Sequence, residues 1–155
     1  MKPDLELKHR QTFSVAQAGP WTELQQHVFR HAALGRVPGK LFLKEPLQMT
    51  ALEISLGVLP PGRGMPMLHA HHENEEVYIF VRGSGQMIID GEKIEVREGS
   101  VVRIAPNGAR SWRNNGPEDL HYIVVQGKAG TLEKGTTTDG YLVEGQPDWN
   151  SEVKS

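Results

Sequence analysis

Between Gly39 and Gln126 apolar and polar positions alternate with a period of two, and the alternation is broken repeatedly by glycine, proline or an Asx-Gly pair. Leu41 and Leu43 flank Phe42; Leu52, Ile54, Leu56 and Val58 alternate with Glu53, Ser55 and Gly57. On an extended chain such a pattern sends one set of side chains to each face, so both runs read as strands. Pro60-Pro61-Gly62 ends the second run, and residues 62–66 must be a connection because proline cannot donate to a ladder. Further short strands are expected at Leu68–His71, Glu76–Val81, Gly85–Asp90, Lys93–Val96, Ser100–Ile104 and Leu120–Gln126. Asp90-Gly91, between Met87-Ile88-Ile89 and Ile94-Glu95-Val96, predicts a tight hairpin. Pro106-Asn107-Gly108 and Asn115-Gly116-Pro117 mark two further turns. About eight short strands punctuated this way predict an all-β sandwich or jelly roll, not a βαβ fold.

The flanks read differently. Residues 1–36 form a polar arm in which Trp21, Leu24 and Val28 have the spacing of a short helix, residues 37–127 the barrel, and residues 128–155 a tail packed on the barrel or on a partner. One strand is expected in that tail, at Tyr141-Leu142-Val143. A length of 155 residues suits one domain with a core of its own. The formal net charge is −2 and the basic residues form no block, which gives no footprint for nucleic acid or an anionic membrane. Met1–Arg10 is charged and lacks a signal peptide's apolar stretch, and Val77–Val81 is far too short to span a bilayer, so a cytoplasmic protein is the expectation. With no cysteine, any metal must be held by histidine, carboxylate or other oxygen.

His69-Ala70-His71 is the sharpest chemical feature, because residues i and i+2 of a strand project to one face. A tight return would bring Glu76 opposite them and complete a two-histidine, one-carboxylate set suited to Fe, Mn, Ni or Zn. By itself a His-x-His in a loop is commonly only a solvated turn. Glu75 must face away from Glu76, whereas Tyr78 and Phe80 share its parity and are expected to line the pocket or fill the core. Arg103, Arg110 and Arg113 would favour an anionic ligand if they reached the pocket mouth, and each alone reads as surface. Gly83-Ser84-Gly85 lacks the following Lys-Ser/Thr of a phosphate loop.

Gly64, His69, His71, Glu76 and Gly83 together resemble the first motif of the cupin superfamily, and Gly99, Pro106, Gly108 and Asn115 resemble the second, each with one gap shifted by a residue. The resemblance implies an all-β cupin double-stranded β-helix, or jelly-roll barrel, with an N-terminal arm and a C-terminal tail. It implies a divalent metal on His69, His71 and Glu76 as well, but where the family's last metal histidine usually stands this spacing puts Ser111. Three readings stay open: a three-ligand site, replacement by His121 or His72, or a metal-free pocket. The expected substrate pocket includes Tyr78, Phe80, Arg103, Ser111 and Arg113. The function expected from the resemblance is a metal-binding cupin acting on a small polar or anionic metabolite, as a dioxygenase or isomerase. The alternative is a non-catalytic module that binds a small molecule without metal. Single-domain cupins commonly pair, so a homodimer is expected, with a small-molecule ligand and neither nucleic acid nor membrane as partner.

Overall fold

A computed structural model describes residues 5–135 and 137–153. In chain order the strands are β1 (Glu6–His9), β2 (Ser14–Gln17), β3 (Val28–His31), β4 (Gly35–Pro38), β5 (Lys40–Phe42), β6 (Leu52–Leu59), β7 (Asn74–Arg82), β8 (Ser84–Ile89), β9 (Glu92–Arg97), β10 (Val101–Ile104), β11 (Arg110–Arg113) and β12 (Leu120–Lys128). A 3-10 helix of two turns, Trp21–Gln26, precedes β3, and one turn of helix, α1 (Lys44–Leu47), follows β5. The barrel is made of a five-stranded sheet, β10-β7-β12-β6-β5, and a three-stranded sheet, β11-β8-β9. Every ladder is antiparallel. This is an all-β barrel of the kind that the period-two alternation predicts.

Register decides what meets inside. β12 lies between β6 and β7, setting Tyr122 opposite Phe80, Val124 opposite Tyr78 and Gln126 opposite Glu76. The inward positions bury Tyr78, Phe80, Met87, Val96, Ile104, Trp112, Leu120, Tyr122 and Val124 as one core. Outside β6 a second cluster of Leu24, Leu41, Leu43 and Val58 covers the opposite face, so the N-terminal segment stoppers a sheet surface that would otherwise be wet. Asp90 and Gly91 both have positive φ, 49° and 87°, which is the backbone of the predicted two-residue hairpin.

Three expectations need correction, and one strand is new. Leu68–His71 is not a strand: the chain from Gly64 to His69 pairs with β11 only through isolated bridges at Gly64 and His69, and Pro66 between them has no N–H to continue a ladder. β11 itself was not foreseen, because its four residues, Arg-Ser-Trp-Arg, carry one apolar side chain and no visible alternation. The arm holds two hairpins, β1-β2 and β3-β4, beside the short 3-10 helix. Tyr141–Val143 forms no strand, and Tyr141, Leu142, Val143 and Trp149 are 86%, 100%, 77% and 87% exposed, so these side chains do not pack on the barrel.

Candidate metal and ligand site

Three elements converge at one end of the core. β7 presents Glu76 and Tyr78 inward, two residues apart on one face. β11 presents Arg110 and Trp112 in the same way. The connection carrying His69 and His71 is pinned between: His69 exchanges both backbone hydrogen bonds with Arg110, 3.1 and 3.0 Å, and the amide of Asn107 donates to the His71 carbonyl at 2.7 Å. The predicted turn at Pro106-Asn107-Gly108 therefore holds one of the two histidines. A nitrogen of His69, a nitrogen of His71 and a carboxylate oxygen of Glu76 lie within 4.8 Å of one another.

Glu76 is the electrostatic centre. Its Oε2 accepts from the Tyr78 hydroxyl at 2.9 Å and from the Arg110 guanidinium. Burial alone would raise the Glu76 pKa, but the hydrogen bond and charge of Arg110, with help from Tyr78, hold it below the ordinary 4.5. The same burial, with Glu76 alongside, pushes the Tyr78 phenol far above its usual range, so Tyr78 stays a donor. His69 is shifted down to about 4, first by desolvation and then by the Arg110 charge, which keeps its imidazole neutral and able to act as a ligand.

His71 Nε2 stands 3.2 Å from Glu76 Oε1 and 2.8 Å from the side-chain nitrogen of Gln126. One ring nitrogen cannot serve both: if its lone pair accepts from Gln126, that lone pair also faces a carboxylate oxygen, and a cation between the two relieves the repulsion. His69 Nδ1 is buried with no hydrogen-bond partner among the described residues. Both observations fit a divalent ion held by His69, His71 and Glu76, a set of borderline nitrogens and one hard oxygen.

The fourth position is not Ser111. Its hydroxyl donates to the Met65 carbonyl at 2.8 Å, on the opposite face of β11 from Arg110 and Trp112. The buried asparagine of this turn is Asn114, 1% exposed, whose amide nitrogen donates to the carbonyls of Leu59 and Glu118 at 2.7 Å each, while Asn115 is exposed. Counting back from Asn114 and not Asn115 brings Arg110 to the place of the family's last histidine. Sequence spacing missed this by one residue, and the missing signal was the burial of Asn114. Neither suggested replacement stands near: His121 Nε2 is 3.3 Å from the Trp21 carbonyl and His72 is exposed.

The other pocket candidates divide by strand parity and length. Tyr78 lines a cavity of about 290 Å³ together with His69, His71, Glu76, Trp112, Tyr122 and Gln126. Phe80 is wholly buried deeper in the core, against Tyr122. Arg103 turns outward to pair with Glu75 at 2.6 Å, and Arg113 spends its guanidinium on Gln86 at 2.9 Å, so neither reaches the cavity. Instead the cationic wall residue is Lys40 on β5, which sequence reading passed over because it lies 29 positions before His69, in a strand legible only by its apolar alternation.

A cupin-domain family model matches residues 55–126. The protein MJ1618 of Methanocaldococcus jannaschii is 36% identical over 66 residues, 43% of this chain and 52% of that protein, so the chain spans about half the length of the curated relative it matches. Among solved structures, a cupin protein from Bacteroides fragilis is 40% identical with a TM-score of 0.66, covering 68% of this chain and 89% of that one. A predicted oxalate decarboxylase from Thermotoga maritima is 26% identical with a TM-score of 0.52, over 60% of this chain and 79% of the other. With the Bacteroides structure matched over nearly its whole length at that identity, on a barrel of the same form, the chain belongs to the cupin family.

Proposed function

We propose that this cupin binds a divalent metal, iron, manganese, nickel or zinc, through His69, His71 and Glu76, and acts there on a small polar or anionic metabolite. The observation that carries the reading is the convergence of two imidazoles and a buried carboxylate within 4.8 Å at the wall of a cavity. Three protein donors leave positions for a ligand or water, the arrangement of a facial triad, which favours an oxygenase, with an isomerase as the other reaction class. When bound, the ion would supply a Lewis-acid or oxygen-activating centre. The chain's own residues then orient and exclude: Gln126 and the Asn107 amide hold His71, Tyr78 keeps a hydrogen bond on Glu76, and Trp112 packs 5.9 Å from the His69 ring.

A second reading has its own support. Arg110 already supplies Glu76 with a buried countercharge, and a pocket so neutralised can hold an organic ligand by hydrogen bonds with no metal. Elemental analysis of the purified protein separates the two. Near-stoichiometric metal that is lost in both His69→Ala and Glu76→Ala supports the metal reading and justifies oxygen-uptake and isomerase screens. No metal after reconstitution with each of the four ions overturns it in favour of the binding module. A homodimer belongs to the same proposal, since pairing would protect the open edges of β5, β9 and β10; light scattering after size exclusion tests it.

A further inference from the structure

Lys40 is the charged group of the cavity that the metal site does not use. It stands on edge strand β5 and lines the cavity, its ammonium 5.1 Å from the centre of the Tyr122 ring and 5.3 Å from that of Phe42. Among the described residues no carboxylate pairs with it. Glu53 Oε1 accepts from the backbone amides of Leu43 and Lys44 at 3.2 and 2.9 Å, and Glu76 is committed to Arg110 and Tyr78. Loss of hydration lowers the Lys40 pKa to about 8 although Glu76 and Glu53 pull it upward, so the group is still a cation at neutral pH. The Arg110–Glu76 pair cancels itself, which leaves Lys40 as the unpaired cation of the cavity wall. Aromatic faces compensate an ammonium only in part, and enclosed charges are normally paired.

We propose that Lys40 is the anchor for the ligand's carboxylate, so that the cavity takes small monocarboxylic acids with a flat apolar body, acid group on Lys40 and opposite end toward His69 and His71. One ammonium matches one carboxylate, whereas a phosphate would call for more donors, and Arg110 does not line the cavity: its Nη1 is on the carbonyls of Gly108 and His69, its Nη2 is on Glu76, and its unpartnered Nε is buried. The apolar body follows from the walls, Val37, Phe42, Met65, Trp112 and Tyr122, and the small size from a cavity of about 290 Å³. The inference rests on the anionic-metabolite reading above but not on the metal.

The test uses 4-fluorobenzoate and its neutral isostere 4-fluorobenzamide, titrated by fluorine NMR into the full chain and into Lys40→Met, Lys40→Gln, Lys40→Arg and His69→Ala, with metal content and melting temperature measured on each. The acid should bind the native chain at least about tenfold more tightly than the amide. That preference should vanish in the folded neutral variants and persist in Lys40→Arg and His69→Ala. An unchanged preference in Lys40→Met and Lys40→Gln overturns the proposal, as does a preference lost in His69→Ala alone, which would put the carboxylate on the metal. Absence of binding by either probe at millimolar concentration overturns it too. A native chain that holds no metal yet prefers the acid would remove the metal reading and leave Lys40 in its role.

Discussion

Glu76 lies within reach of three partners, and the cost of disturbing them differs. Removing Arg110 as Arg110→Met strips a buried carboxylate of its countercharge, which should lower stability by about 3–5 kcal/mol in denaturant titration. Because the vacated charge is what a metal would neutralise, added zinc or manganese should raise the melting temperature of Arg110→Met by more than it raises that of the native chain. Equal shifts would deny metal access to Glu76. The pH response can be signed from the same residues. Native His69 has a pKa of about 4 against an ordinary 6.5, so between those values the unfolded chain takes up a proton that the folded chain refuses, and stability falls as pH drops through that window. Glu76 acts lower: its stabilising contribution is complete above 4.5 and is lost as pH falls through its depressed native value. His69→Gln should therefore flatten the loss between pH 6.5 and 4 by about 1–2 kcal/mol, allowing for partial exposure, and Glu76→Gln should flatten only the part below 4.5. Identical slopes in native chain and variants would contradict both assignments. At this scale His69, His71 and Glu76 were legible as types and spacings, because a ligand set is written in residue identity. Arg110 and Lys40 were not, because an arginine or lysine reads as surface until burial is known.

Elements carried the prediction further than individual residues did. β6, β7, β8, β9, β10 and β12 were legible because each alternates over four to nine residues and is bounded by glycine, proline or an Asx turn. β11 and the run at His69 were not, since β11 depends on its ladder with β8 more than twenty positions back and the run at His69 on bridges to β11 more than forty positions on, which no local pattern announces. Gly57 shows how one position within a legible element can set the cavity. A Cβ built there would lie 2.2 Å from Tyr122 Cζ, so the bare backbone of β6 is what lets the phenol ring lie flat across the strand and under Lys40. Gly57→Ala should cost about 1–3 kcal/mol from overpacking and should weaken probe binding along with it. Serine at the neighbouring inward position 55 is the control: Ser55→Ala removes a hydroxyl that accepts or donates no side-chain bond in the fold and should leave the melting temperature nearly unchanged. If Gly57→Ala melts like the native chain, the ring has room that the structure denies it.

At the scale of the whole molecule the barrel and its tail behave as separate problems. The barrel buries its apolar faces twice over, once inside and once beneath the N-terminal cluster on β6. Beyond Thr131 the described residues contribute almost no burial, with Leu132, Tyr141, Leu142, Trp149 and Val153 all at least 84% exposed. Since hydrophobic stabilisation follows apolar area removed from water, a chain ending at Thr131 should unfold at the same denaturant midpoint as the full chain. The last ties that matter are short of that point: the Ala129 amide donates to the Glu73 carbonyl at 3.0 Å and the Thr131 hydroxyl to the Lys128 carbonyl at 2.8 Å. An exposed row of this kind is unusual for a lone globule, because large apolar side chains in one stretch gain nothing from water. The truncation therefore discriminates. A midpoint that stays put at every protein concentration assigns all of the stability to the barrel and its arm. A midpoint that drops in the truncated chain, and that rises with concentration only in the full one, would mean that the tail is buried in an assembly and that the dimer is made by it and not by the sheet edges.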